Sequence, residues 1–405
     1  MTDAGPIMSD GPIKLTPMTH IQAEPPVSQS FQMVDLFAGP GGLDVAARWL
    51  GIPVVGIEWD KNACATRHEA GLGTVQGDVR EHGPEEFPTA TILAGGPPCQ
   101  TYTVAGAGAG RRALDQVLSF VGRMADGEDV AADLDDLDDE RTGLVLEPLR
   151  WALEAYRQQR PYEVIVLEQV PAVLPVWEAV AKVLEGIGYK TDCGILHAEE
   201  FGVPQTRRRA ILFAHRNRTP HLPHPTHRRF RKRAANSEDQ SPLLPCETMG
   251  RTLDRAGSFV VISNYGTGGD PKARGRRTSE EPAATVTGKV SRNRLVSHDG
   301  LELDRLDLSE AGRLQTFPAD YPWSGNDISQ QIGNAIPPRL AAHVLAAALG
   351  RELHAESLSR AVRTSWKETE CNEPLLAQIV DPAPMQGPHT SCDSPADREL
   401  VLSHP

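Results

Sequence analysis

Phe31-Gln32-Met33-Val34-Asp35-Leu36-Phe37 is a short apolar run that breaks into Ala38-Gly39-Pro40-Gly41-Gly42 and continues as a helical stretch, Leu43 to Leu50. A strand that turns on glycines straight into a helix belongs to a sheet whose strands are joined by crossover helices. The same grammar recurs. Pro53 to Glu58, Ala90 to Ala94, Glu163 to Leu167 and Ala210 to Ala214 are further short apolar strands separated by longer stretches. The expected fold class is therefore α/β, with a parallel, doubly wound sheet.

The rhythm has two interruptions. Asp126 to Glu140 holds nine acids and no base, the mark of a solvated loop or insert. Residues 215–300 are rich in Arg, Pro and Gly and read as a second, smaller unit. A last helix, Pro338 to Leu349, returns the pattern to alanine and leucine. Residues 1–30 are expected to be a disordered arm, and 360–405 a disordered tail. The expected domains are thus 31–214 with 326–350, and an inserted 215–325.

Charge is distributed unevenly. The net charge is −13, yet Arg207 to Arg294 carries 19 Lys/Arg against 7 Asp/Glu. A basic face of that kind suits phosphate contacts even on an acidic protein. No run approaches the roughly 18 apolar residues of a membrane span, and the N-terminus lacks a secretory signal. A cytoplasmic monomer is expected, with no membrane partner. Six cysteines (Cys64, Cys99, Cys193, Cys246, Cys371, Cys392) lack any C-x-x-C pair, so neither a metal site nor a disulfide framework is expected.

The glycine turn lacks the G-x-G-x-x-G spacing of dinucleotide folds and the lysine of a P-loop. It still permits close backbone approach to a ligand at the carboxyl edge of the sheet. Glu58, ending the second strand, suits the two hydroxyls of a ribose. Asp78, in Gln76-Gly77-Asp78-Val79, suits an adenine amino group. Read singly, each acid is as easily a solvated loop residue. Gly95-Gly96-Pro97-Pro98-Cys99-Gln100 is more telling, because two prolines stiffen a turn that presents a thiol at a strand end.

Together these residues resemble the DNA cytosine-5 methyltransferases, in ordered blocks from about residue 33 to 350. The blocks are Asp35 to Leu43; Glu58; Asp78; Pro97 to Gln100; Glu168; Gln205, Arg207 and Arg209; Arg313 to Pro318; and Gly333 to Pro338. The resemblance implies a Rossmann-like methyltransferase domain with a smaller inserted DNA target-recognition domain. It also implies S-adenosyl-L-methionine as cofactor, double-stranded DNA as partner and no metal. The cofactor residues it implies are Phe37, Ala38, Gly39, Gly41, Gly42, Glu58, Trp59, Asp78, Val79, Pro98, Asn334 and Ala335.

The catalytic residues so implied are Cys99, Glu168, Arg207 and Arg209. Cys99 thiolate would add to carbon 6 of a flipped cytosine, with Glu168 at ring nitrogen 3. Arg207 and Arg209 would grip the base carbonyl and a phosphate. One departure stands out: Gln169 occupies a position where the family usually has Asn. In the basic segment, Asn264 to Gly269 followed by Lys272, Arg274, Arg276 and Arg277 combines flexible glycines with phosphate- and guanine-seeking side chains, and Arg274, Arg276 and Arg277 are the expected base readers. The cluster Arg228, Arg229, Arg231, Lys232 and Arg233 is assigned to phosphates. The alternatives are a cytosine-5 methyltransferase acting on tRNA and a catalytically silent DNA-binding relative.

Overall fold

The computed structural model describes residues 32–98, 109–135, 137, 140–232, 242–263, 274–369 and 375–376. Cys99, Gln100, Thr101 to Thr103, Arg233, Asn264 to Gly269 and Lys272 lie outside them, as do the N-terminal arm and the end of the tail.

Strand β1 (Met33–Leu36) is buried at every position, as a strand covered on both faces must be. It turns through Phe37, Gly39 and Gly41, all at positive φ, into α1 (Gly42–Trp49). Next come β2 (Val54–Glu58), α2 (Lys61–Glu69), β3 (Gly73–Gln76) and β4 (Ile92–Gly95). Asp60 starts α2 by accepting from the backbone N–H groups of Asn62 and Ala63, both at 2.9 Å, which satisfies two donors of the first turn.

Helix α3 (Ala109–Ala125) and helix α4 (Glu147–Arg157) precede β5 (Val164–Gln169). After it come α5 (Leu174–Gly186), β6 (Lys190–His197) and β7 (Arg208–His215). These seven strands form one sheet in the order β3-β2-β1-β4-β5-β7-β6. β1 to β5 pair parallel, but β7 runs antiparallel to both its neighbours. The expectation of an all-parallel sheet is corrected here. The link 198–207 is too short to carry a crossover, so β6 and β7 pair as a hairpin.

A second, four-stranded antiparallel sheet follows, built from β8 (Phe259–Ile262), β9 (Arg276–Thr278), β10 (Arg294–Ser297) and β11 (Glu302–Leu303) in the order β11-β10-β8-β9. Its core, including Phe259, Val261, Val286 and Leu295, is closed by α6 (Leu308–Leu314) and by Ile332 of α7 (Ile328–Asn334). Helix α8 (Pro338–Ala348) then covers the large sheet beside α1, with nearly all of its residues buried.

Two parts of the acidic and C-terminal regions differ from the sequence reading. Within 126–140, Ala131–Asp135 forms a helical turn, Val130 is buried, and Arg123 pairs with Glu128 and Asp133 at 2.7 Å each. At Glu128 and Asp133 the cation of Arg123 on α3 offsets part of the like charge. Beyond 360, the end of α9 (Ala355–Arg363) and the turn Trp366–Thr369 are helical where a disordered tail was expected. Leu358, Ala361 and Trp366 reach the core of the large sheet, and that apolar burial orders them.

Candidate active site

The glycine turn is shaped by what surrounds it. A Cβ on Gly42 would meet the Ile336 carbonyl oxygen at 2.3 Å, and one on Gly41 would meet Leu72 Cδ1 at 2.4 Å. At Gly39 nothing among the described residues lies within 4 Å of that position, so the turn is open to them there. Behind it, Arg67 pairs in two-pronged fashion with Asp44 at 2.6 and 2.9 Å, both side chains fully buried, and donates to the Gly73 carbonyl at 2.8 Å. Burial disfavours the Arg67 charge, but Asp44 outweighs it and raises the pKa. Asp35 sits in the same pocket, and burial together with the Asp44 charge pushes its carboxyl well above the usual range.

Glu58 faces this turn. One carboxylate oxygen accepts from the Gly39 N–H and the other from the Asp60 N–H, each at 2.7 Å. Burial nonetheless raises its pKa, and the two N–H groups only partly offset that. Trp59 follows with 69% of its surface exposed. Asp78 is bound by Arg80 at 2.6 Å. Its burial would raise its pKa, but the Arg80 hydrogen bonds prevail and lower it. Both Asp78 oxygens are engaged by Arg80, so an adenine amino group would share an acceptor already in use. Val79 is buried beneath it.

Described structure on the proline turn ends at Pro98. The Gly96 N–H donates to the Leu36 carbonyl at 3.1 Å, tying the turn to β1. A Cβ on Gly96 would touch Glu168 Oε2 at 3.3 Å, so the acid of β5 lies against the backbone three residues before Cys99. Glu168 is 8% exposed and forms an ion pair with Arg209 of β7, two residues before Ile211, the registered partner of Glu168 across the sheet. Gln169 donates its amide to the Pro97 carbonyl and accepts from the Val170 N–H. The extra methylene of Gln thus leaves the amide in reach of the loop.

Arg207 corrects a sequence expectation. It is 1% exposed, and its terminal nitrogens donate to the carbonyls of Val286 (3.0 Å), Gly333 (2.9 Å) and Ala335 (3.0 Å). Burial first, then the Arg209 charge, lowers its pKa well below the ordinary value. A guanidinium so committed has no reach to a base; it joins β7 to the small sheet and to α7. Alternation along β7 sends Arg207 and Arg209 to the same face, yet only Arg209 meets Glu168. Sequence reasoning assigned no role to the neighbours that complete this joint. Gln205 donates to the Leu314 carbonyl and to Gln315 Oε1, both at 2.8 Å, and Gln315 donates to the Ile332 carbonyl at 2.5 Å. Buried glutamines within matched blocks were the available signal. Ala335 is buried beside the glycine turn's helix, whereas Asn334 is exposed and accepts from Gln330 at 2.9 Å.

In the basic segment, the described arginines divide differently from the expectation. Arg277 stacks over Phe230 at 4.4 Å and lies 4.0 Å from Glu281, so it is turned into the small sheet. Arg276, one residue earlier on the edge strand, is exposed. Lys232 donates to the Arg276 carbonyl at 3.4 Å, so the dense cluster and the edge strand adjoin.

The family model for C-5 cytosine-specific DNA methylases matches residues 31–121 and 130–349. The chain belongs to this family. It is a DNA (cytosine-5-)-methyltransferase, and its large sheet is the Rossmann-like fold of that family. Among similar proteins, the Type II methyltransferase M1.HphI of Haemophilus parahaemolyticus is 26% identical, over 79% of this chain and 87% of its own. The Type II methyltransferase M.AplI of Arthrospira platensis is also 26% identical, over 78% and 84%. The fold is shared with the Dnmt2 methyltransferase of S. pombe, at TM-score 0.52 and 17% identity over 79% of this chain and 98% of that one. A DNA modification methyltransferase from an E. coli prophage is similar at TM-score 0.51, with the same identity and coverage.

The methylase match stops at 349, so α9 and the turn at Trp366 lie beyond it. No helix among the described residues is long and apolar enough to cross a membrane.

Proposed function

We propose that this methylase works through a covalent bond between Cys99 and carbon 6 of a cytosine flipped out of a specific sequence in duplex DNA. It acts as a cytoplasmic monomer, with the small sheet and its flanking segments as target-recognition domain. The observation that carries the reading is the closeness of Glu168 Oε2 to Gly96, where any Cβ would meet it, which brings an acid to the loop leading to the thiol.

The residues present suit S-adenosylmethionine. The open side at Gly39 leaves room for the amino-acid end, Glu58 has lone pairs left for ribose hydroxyls, and the exposed Trp59 ring offers a stacking face. Bound there, the cofactor supplies an electrophilic methyl group.

Thiolate addition at carbon 6 makes carbon 5 nucleophilic. Glu168 holds ring nitrogen 3 and neutralises the charge that develops there. Arg209, held by Glu168, is the arginine in place to meet the base. After methylation, loss of the hydrogen on carbon 5 restores the ring and expels Cys99.

DNA carrying 5-fluorocytosine at the target should trap the enzyme covalently, since fluorine does not leave as a proton does. Cys99→Ser should bind DNA and cofactor but neither methylate nor trap. Trapping by the serine variant would exclude Cys99 as nucleophile. Label transferred to tRNA in place of DNA would move the substrate to RNA.

A further inference from the structure

The segment after the family match is built into the back of the cofactor turn. Trp366 is 2% exposed, and its Nε1–H donates to the carbonyl of Ala70, the residue that ends α2, at 3.2 Å. The guanidinium of Arg48, in the last turn of α1, lies 4.6 Å over the indole. Asp320 fixes the segment's course by accepting from the Ser365 hydroxyl and the Trp366 N–H, both at 2.6 Å. The Leu376 N–H donates to the Trp49 carbonyl at 2.8 Å, so the chain returns once more to the end of α1.

The indole also packs edge-on against Tyr321, with ring centres 5.2 Å apart at 70°. Tyr321 is wedged between Phe317 and Trp323, and its hydroxyl donates to the carbonyl of Pro40 at 2.5 Å. Pro40 stands between Gly39 and Gly41, in the middle of the strained turn. Helices α1 and α2 begin at the glycine turn and just after Glu58, and both end on Trp366. One indole therefore clamps the far ends of the two helices whose near ends form the cofactor site.

From this geometry we infer that the C-terminal segment sets the affinity for S-adenosylmethionine, with Trp366 as a positioning residue acting through Tyr321 on Pro40. Trp366 touches neither cofactor nor base. It limits the positions open to the Tyr321 ring, and so holds the turn in its binding conformation. The inference rests on the glycine turn and Glu58 being the cofactor site.

The test uses the full chain and measures S-adenosylmethionine binding by calorimetry, together with kcat and both KM values. Trp366→Ala should weaken cofactor binding about fivefold or more, raising KM for the cofactor while kcat and KM for DNA hold. Trp366→Phe keeps a ring against Tyr321 and should restore most of the affinity, which also covers the case where the alanine variant fails to fold. Tyr321→Phe should produce a loss similar to that of Trp366→Ala. The double variant should add little beyond either single one, because both act on one hydrogen bond. Fully additive losses, or Trp366→Phe and Trp366→Ala both at wild-type affinity, would overturn the inference. Glu58→Ala is the control on its premise: if that variant binds cofactor like wild type, the site itself has been misplaced.

Discussion

Gln169 at the end of β5 donates its side-chain amide to the carbonyl of Pro97, two residues before Cys99. The same side chain accepts from the Val170 N–H, so one amide links the acid strand to the nucleophile loop and closes its own turn. Gln169→Leu leaves a buried carbonyl unmet, at a cost of about 1–3 kcal/mol in loop order. The expected result is a loss of roughly ten- to hundredfold in kcat, with little change in DNA affinity. Gln169→Asn keeps the amide on a shorter stem and should retain most activity. Single-turnover methylation rates for the two variants check the order, and an Asn variant as slow as the Leu variant would show that reach, not the amide, is decisive.

Arg207 should behave as a structural residue. Arg207→Leu removes the donor for three backbone carbonyls and is expected to cost about 3–5 kcal/mol of stability, as breaking a buried charged network does. A thermal melt shows this directly. A variant that melts like wild type yet has lost turnover would return Arg207 to the base.

The neighbouring arginines of β9 should separate cleanly. Arg276→Ala, on the exposed side, should cost about 1–3 kcal/mol at one position of the recognised site and relax the preference there. Arg277→Ala, which loses its stacking on Phe230, should lower the melting temperature and leave the preference unchanged. Binding to a panel of one-base site changes, run beside melts, distinguishes them.

Acid should loosen the contact between α8 and the large sheet. His343 is buried against Phe201, and burial, then the Arg339 charge, depresses its pKa to about 3. Burial and Arg339 likewise hold His227 at about 4. Both side chains take a proton near pH 6.5 when the chain unfolds but resist it when folded. Stability is therefore full above about pH 6.5 and is lost as pH falls toward 4, because the unfolded state binds the extra protons. His343→Leu should flatten the fall in melting temperature between pH 7 and 5. An unchanged slope would place the linkage in the carboxylates instead.

Much of this architecture was legible because its signals are local. β1 and the glycine turn could be read directly, since apolar runs and glycines report the conformation of their own residues. β6 escaped, because Lys190 to His197 is half-buried and mixes polar with apolar residues. The reversed direction of β7 also escaped, because strand direction depends on the length of a link and not on composition. At the site, residue types were readable but partners were not. Arg207 and Arg209 sit two positions apart in one motif, and only the packing of Val286, Gly333 and Ala335 around the first shows that their roles differ. Trp366 lay in a stretch whose composition resembles a tail, and two of its partners, Arg48 and Ala70, are some three hundred residues earlier in the chain.

The packing of α1 against α8 also bears on how the chain is made. Residues 42–49 wait for residues 338–348 before one face of the large sheet can close. On the ribosome that face stays bare until nearly the whole chain has emerged, so its closure is a late step and a point of exposure to chaperones and to aggregation. The same adjacency makes the first helix of the domain and α8 spatial neighbours. A circularly permuted chain that joins them and opens within the acidic segment would form the α1–α8 contact locally, and should fold faster than the natural order does.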